Sequence, residues 1–429
     1  YTLTIYLSKI NRNPDTKEDV LNDNFEKIFK TMIFAMKMIQ YQPYLKKDVK
    51  WAFQFGTMYG MSFMIFCLLI YSIIFHDLRT NDVTQACANG ILCIIFGVLT
   101  FQYSAMFYYH KIIEEMIEKM NDDYKNAKQF PKDEQQCVIE NIKKGKFVIT
   151  IWVLISVGGA VFFICKAISL MLYYTIFDEF RYVHIYDLTY PDSVEEIKNT
   201  FGPYCIINFI FTFYDIYVMF MFIGFAPMGP IFLLHACGQL EIAKTRIMKI
   251  FHQDNTMKDI DKKLKEIAEF LVEVYRYINK INVAFMVLYE LTLKTTTIVL
   301  PITFYQIIES SKSGEFRIEF VCVIIGGVTM SSVPCYYSDK LMESGENLRR
   351  AIYMCGWEKR WDQKSRTLIL LLLLRTTPSV TIRAMFCPVC LDTLADVRLF
   401  AVLLFVLTGF RKTSNVIYFP RNKQRRSDT

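Results

Sequence analysis

"INFIFTFYDIYVMFMFIGF", residues 207–225, holds a single residue charged at neutral pH, Asp215, in a mostly aromatic and aliphatic stretch. A helix crosses the hydrocarbon of a bilayer with about 20 apolar residues, at 1.5 Å of rise per residue. A charge near the bilayer centre costs about 2.5 to 3.5 kcal/mol on the insertion scale, and each Leu, Ile, Phe or Val returns about 0.3 to 0.6 kcal/mol. The Phe and Ile content of this stretch is enough to insert it despite Asp215, and its reading as a membrane crossing decides the fold.

Working outward, this crossing is the core of a longer run at 204–234, and further apolar runs lie at 52–75, 86–109, 148–174, 282–308, 318–337 and 367–409. The last is long enough but broken by Arg375, Pro378 and Arg383. The chain of 429 residues is 53% hydrophobic and 15% aromatic, with a mean hydropathy of +0.24. A soluble domain does not collect its apolar residues into long runs nearly free of charge. The expectation is therefore an all-α, polytopic membrane protein of seven transmembrane helices.

Lys and Arg in the connecting loops set orientation. The first and second runs are separated by Arg79 alone, the third and fourth by Arg181 and Lys198, the fifth and sixth by Lys312 and Arg317. The N-terminus and the other three loops are rich in positive charge, mostly Lys. With positive charge inside, the N-terminus is cytoplasmic and the C-terminus external, the reverse of a G-protein-coupled receptor. The net charge of +7 is then mostly a topology signal, and no clustered basic patch supports a nucleic-acid partner. The outer loop from Asp178 to Lys198 is acidic, with Asp178, Glu179, Asp187, Asp192, Glu195 and Glu196. Charge through Tyr1–Ala35 argues against a cleavable signal peptide, and a start at Tyr1 reads as the loss of a few residues.

The basic loops are themselves helical in pattern. Ile112, Ile113, Met116, Ile117 and Met120 share one face beyond the second run, and "GQLEIAKTRIMKIF" extends the fourth. Ile260, Leu264, Ile267, Leu271, Val274, Tyr275 and Ile278 form a stripe leading into the fifth. Such stripes below the bilayer must pack on neighbouring helices or on other subunits. The chain divides into residues 1–338, helices one to six with their extensions, then 339–410, a loop and a broken seventh helix, and a basic tail at 411–429.

Within the runs, Lys166, Asp215, Glu290 and Lys294 are candidates for function, because intramembrane charges face the bundle interior or water. Lys166 lies in the outer half of its helix, where its stem can snorkel. Glu290 and Lys294 are four apart in the favourable order for a structural pair. No Gly-rich phosphate loop, HExxH or GxSxG is present, and His76, His110, His184, His235 and His252 are scattered, so the chain reads as no enzyme, with no cofactor and no metal. Cys387 and Cys390 have CxxC spacing without a second pair. Gly158-Gly159 and Pro227 with Pro230 interrupt runs three and four, but no matching second half supports a transporter.

Two stretches carry a resemblance. "HACGQLEIAKTRI" after the fourth run, and "CYYSDKLMESGENLRRAIYMCGW" followed by "TLILLLLLRTTPSVTIRAMFCPVCLDTLADV", resemble the insect odorant receptor family. The spacing of Ala351-Ile-Tyr353 and Trp357, the Leu-rich run ending in Arg375 with Pro378, and Leu391-Asp-Thr393 are its specific parts. The resemblance implies an odorant-gated cation channel subunit in the plasma membrane of sensory neurons, forming a tetramer with the odorant co-receptor. Tyr353, Trp357 and Arg375 are the implied subunit anchors. The implied pocket for a small volatile organic ligand lies in the outer half, among helices two, three, four and six, where this chain places Phe96, Phe163, Ala167, Leu170, Phe209, Phe213 and Val323. A gustatory-type receptor channel is the runner-up, ahead of a G-protein-coupled receptor or a secondary transporter.

After Val397 the resemblance fails. Residues 399–410 are apolar enough to finish a crossing begun near Ala384, but Arg411, Lys412, Arg421, Lys423, Arg425 and Arg426 then fall outside, where they would repel permeating cations. Val397-Arg398 is encodable as GTN-AGR, the form of a 5′ splice donor, and retained intron sequence accounts for both the lost match and the charge. Full-length transcripts are expected to splice at this junction, and abundant spliced mRNA carrying the tail would refute it. A tag fused ahead of Tyr1 is expected to stain only in permeabilised cells; staining of intact cells would overturn the orientation.

Overall fold

The computed structural model describes residues 23–41, 48–80, 82–177, 180–186, 188–251, 256–312, 319–359, 363–396 and 399. Outside them lie residues 1–22, Asp178, Glu179, Asp187, the outer part of the proposed seventh crossing and the basic tail. The described residues are helical apart from loops and one β-bridge between Arg383 and Pro388.

After a single turn at Phe25–Ile28, the main helices are α1 Lys30–Met38, α2 Val49–Ser72, α3 Val83–Tyr108, α4 His110–Ala127, α5 Lys132–Phe177, α6 Phe201–Phe225, α7 Met228–Ile250, α8 Met257–Lys312, α9 Glu319–Met354 and α10 Gln363–Thr376. Among the described residues, six helical stretches are long and apolar enough to cross a membrane: Trp51–Asp77, Val83–Tyr108, Lys132–Phe177, Phe201–Ile250, Met257–Ser311 and Glu319–Met354. At 56 residues, α8 is about 84 Å long against about 30 Å of hydrocarbon, so much of it projects beyond the bilayer.

These projections gather at the end of the bundle that bears the Lys-rich and Arg-rich loops, the basic end. Every residue from Pro227 to Leu240 is buried, and α7 packs against α5, α8 and α9. The apolar stripes bury within the chain itself: Ile113, Met116, Ile117 and Met120 on α4, and Ile260, Leu264, Ile267, Leu271, Val274 and Ile278 on α8, are all in the core. Between them Glu134 is buried and accepts from both Arg246 Nε (3.0 Å) and Nη2 (2.8 Å), while the Arg246 guanidinium lies 4.6 Å from the Phe130 ring centre and 5.1 Å from that of Phe270. Lys280 reaches Glu115 at 2.6 Å, tying α8 to α4.

Residues 25–41 form a wedge on α6 that the charge reading of the N-terminus did not anticipate. Phe25, Phe29, Met32 and Met36, spaced four, three and four apart, are almost fully buried. α1 ends with the Gln40 N–H donating to Lys37 O (3.2 Å) and the Tyr41 N–H to Met36 O (2.8 Å), with Gln40 at φ 58°. This is a Schellman ending with glutamine in the left-handed position that glycine usually takes.

Three sequence expectations change. Gly158-Gly159 do not interrupt the third run, since α5 is one helix of 46 residues; neighbouring helices hold it against a propensity cost of about 1 kcal/mol per glycine. Residues 338 and 339 lie inside α9, which continues because Leu341, Leu348 and Ile352 extend its buried stripe. The seventh run is two pieces: α10 stops at Thr376 before Pro378, whose ring bars the preceding residue from a helix. The chain turns back through the Ala384 N–H to Cys387 O (2.9 Å) and Val389 N–H to Ile382 O (2.9 Å) bonds, and helix resumes at Leu391 rather than near Ala384.

Pro227 and Pro230 do mark the break between α6 and α7, at a first turn that has N–H groups to spare. Gly229 lies between them, and a β-carbon there would overlap the Tyr289 hydroxyl and sit 3.3 Å from Tyr289 Cζ and 3.4 Å from Phe285 Cδ1. Overpacking a filled core costs about 1 to 3 kcal/mol. Gly229→Ala is therefore expected to lower the melting temperature of the detergent-solubilised protein, and an unchanged or raised value would contradict this packing.

Candidate functional site

At the opposite, acidic end the helices separate around a cavity of about 230 Å³. Five helices contribute one face each, at helical spacing. α5 supplies Trp152, Ile155, Ser156, Gly159, Ala160 and Phe163; α6 supplies Asp215, Val218, Met219 and Phe222; α8 supplies Thr292, Thr295, Thr296, Val299 and Leu300. From α3 come Leu92, Ile95, Phe96 and Leu99, and from α9 come Cys322, Val323, Gly326, Gly327 and Met330.

The space exists because small residues sit where the stripes face one another. A β-carbon on Gly159 or Gly326 would meet nothing within 4 Å. The Gly-Gly pairs of α5 and α9 thus leave both helices intact and open room between them. They are the signal in the sequence that could have located the cavity.

Part of the segment between α5 and α6, around Tyr186, turns inward to the cavity. Ile185, Tyr186, Leu188 and Tyr190 are buried. The Ile185 N–H donates to Asn208 Oδ1 (3.1 Å), and the Thr189 N–H to Ser72 Oγ (3.1 Å). Tyr186 lines the cavity, meets the rings of Phe96 at 6.1 Å and Phe163 at 5.8 Å, and donates its hydroxyl to Asp215 Oδ1 at 2.5 Å.

Of the residues expected to line a pocket, Phe96, Phe163 and Val323 do so. Ala167 is buried one turn beyond Phe163, and Leu170 is half-buried beyond it; neither borders the cavity. Phe209 and Phe213 are 71% and 43% exposed on the outside of the bundle. Two residues along a helix is a rotation of about 200°, so Phe213 points away from the face that carries Asp215. The fifth crossing, α8, was not among the helices expected to contribute and supplies the Thr-rich wall. Gln102 Nε2 donates to Thr292 Oγ1 there at 3.2 Å.

The wall is apolar with few polar groups. Trp152 Nε1, Ser156 Oγ and Asp215 Oδ2 are buried and have no hydrogen-bond partner among the described residues. No Lys, Arg or His is among the residues lining the cavity. A concave, mostly apolar site with a small number of placed polar groups is the form of a small-molecule pocket.

Residues 82–402 match the family model described as 7tm Odorant receptor. The chain belongs to that odorant receptor family. Its fold is similar to that of the insect olfactory receptor OR5 from Machilis hrabei, with a TM-score of 0.73 at 14% identity, over 89% of this chain and 97% of that one. The structure of the same receptor in complex with eugenol is similar to the same extent, with TM-score 0.73, 14% identity, and 89% and 97% covered. No curated protein sequence matches the chain. The receptor is thus a multi-pass membrane protein of a receptor family rather than an enzyme family.

The other charges inside this receptor's runs are paired. Lys166 reaches Glu319 Oε1 at 2.5 Å and joins α5 to the start of α9. Lys294 reaches Glu290 Oε1 at 2.8 Å, and the Phe386 N–H donates to Glu290 Oε2 at 3.3 Å. Cys387 and Cys390 are free thiols. Tyr353 is exposed at the basic end, its carbonyl accepts from Trp357 Nε1 (3.1 Å), and the Arg375 guanidinium lies 5.2 Å from the Tyr275 ring centre. Met354, Leu370, Leu371 and Leu374 are exposed nearby along α9 and α10.

Proposed function

We propose that this receptor binds small volatile organic molecules in the cavity among α3, α5, α6, α8 and α9, and gates a cation channel built together with the odorant co-receptor. Its setting is the plasma membrane of sensory neurons, with the N-terminus in the cytoplasm. The observation that carries this reading is the cavity itself, apolar, bounded by Phe96, Phe163 and Val323, and open to no obvious catalytic chemistry. The eugenol complex of a similarly folded receptor supports it.

A volatile ligand offers little to hydrogen-bond, so burial does most of the work. At about 25 cal/mol per Å², a ligand burying roughly 200 Å² of apolar surface gains about 5 kcal/mol. Gating requires more than binding: the open state must hold the ligand better than the closed one, since equal affinity shifts nothing. The exposed apolar face carrying Tyr353, with Trp357 and Arg375 beside it, is the proposed contact with the neighbouring subunits.

Coexpression with the co-receptor is expected to give odorant-evoked cation current, and expression alone to give none. Ala160→Phe, which fills the cavity, is expected to weaken the response by at least about tenfold, which is 1.4 kcal/mol of binding free energy. Phe209→Ala, on the outer surface, leaves it unchanged. Silence in both conditions across a broad odorant panel, or sensitivity to Phe209 with indifference to Ala160, would overturn the reading.

A further inference from the structure

The cavity wall carries a carboxylate, Asp215, that the described residues satisfy at one oxygen only. Asp215 is 7% exposed in the middle of α6, and it lines the cavity. Tyr186 donates to Oδ1 at 2.5 Å, which fixes the group, while Oδ2 is buried and without a partner. Buried carboxylates are ordinarily paired with a cation or hydrogen-bonded at both oxygens. None of the described residues lining the cavity is cationic, so a donor that also carries positive charge suits Oδ2 best.

We propose that the receptor's preferred ligands are volatile amines, whose ammonium group donates to Asp215 Oδ2 while an apolar or aromatic skeleton fills the rest of the cavity. This rests on the cavity being the odorant site. An alcohol or phenol of the same shape supplies a donor but no charge, and a charge-assisted hydrogen bond is roughly twice as strong as a neutral one. The aromatic rings of Phe96, Phe163 and Phe222 suit the skeleton, and the ring faces are attractive to the cation. Tyr186 is the positioning residue: by holding Oδ1 it leaves Oδ2 as the acceptor facing a ligand.

The test compares 2-phenylethylamine with its neutral isostere 2-phenylethanol on the receptor coexpressed with the co-receptor, by current and by ligand-induced thermal stabilisation of purified receptor. The amine is expected to be the more potent of the two on the wild type. In Asp215→Asn the ratio of amine to alcohol potency is expected to fall about 10- to 100-fold, and Asp215→Glu, which keeps the charge, recovers part of it. The melting temperature of each variant without ligand identifies a variant that fails to fold. Equal potency of amine and alcohol on the wild type, an unchanged ratio in a folded Asp215→Asn variant, or neither current nor stabilisation by the amine would overturn the proposal. Stabilisation by the amine that depends on Asp215, in the absence of any current, upholds it and counts against the channel reading alone.

Discussion

The burial of the first half of α7 on every side, Met228 to Leu240, is the constraint on which this architecture depends. A stretch with Met, Ile, Phe, Leu and Ala all round cannot stand at a surface in water, and α6 and α7 together, Phe201–Ile250, run to 50 residues, well beyond the length a bilayer needs. The neighbours of α7 must therefore follow it out of the membrane, and α4, the first half of α8 and the second half of α9 do so with apolar stripes turned inward. The Glu134–Arg246 pair, with two guanidinium N–H groups donating to the one oxygen Oε2, is flanked by two rings. Removing one member of such a pair strands a buried charge, at a cost of about 3 to 5 kcal/mol, so it fixes how α5 sits on α7.

The two ends of the bundle solve opposite problems with the same helices. At the basic end large side chains interlock around spaces of only about 10 Å³, whereas at the acidic end Gly159, Ala160, Gly326 and Gly327 line a cavity of about 230 Å³. The ends are physically continuous. Trp152, Phe222 and Met330 border the cavity, and they also belong to the cluster formed by Val148, Trp152 and Leu234 of α7, together with Tyr337 of α9. A molecule in the cavity thus presses on side chains that pack directly against the central helix, and a packed core transmits such displacement because it has little free volume to absorb it.

How much of this was legible in the sequence varies with the physics of each region. The stripes on α4 and α8 were readable because one face is apolar and the other charged, so period and environment coincide. Inside the bilayer that contrast vanishes: α6 is apolar on all sides, and nothing in the alternation of Phe, Ile and Met separates a lipid-facing Phe209 or Phe213 from an inward Phe222. The usable marker was Asp215, since a charge must face inward, and counting three, four and seven residues on gives Val218, Met219 and Phe222. Tyr186 was hidden for another reason. Its segment was read for its carboxylates, while Ile185, Tyr186, Leu188 and Tyr190, the residues that fold it inward, are too few and too irregular to show a period. Residues 25–41 were likewise read for charge, although Phe25, Phe29, Met32 and Met36 carried a helical stripe.

The position of Asp215 also bears on why the segment before α6 is ordered. A carboxylate in the interior of a membrane bundle is costly, and each hydrogen bond it accepts offsets part of that cost. The Tyr186 hydroxyl reaches Oδ1 because Ile185, Tyr186, Leu188 and Tyr190 turn into the mouth of the bundle, where the Asn208 side chain receives the Ile185 N–H and Ser72 receives the Thr189 N–H. The intramembrane charge and the inward fold of the loop therefore stabilise one another. The same contact leaves half of the carboxylate unsatisfied, so the segment that turns inward to the cavity and the group that would discriminate among its ligands are coupled through a single hydrogen bond.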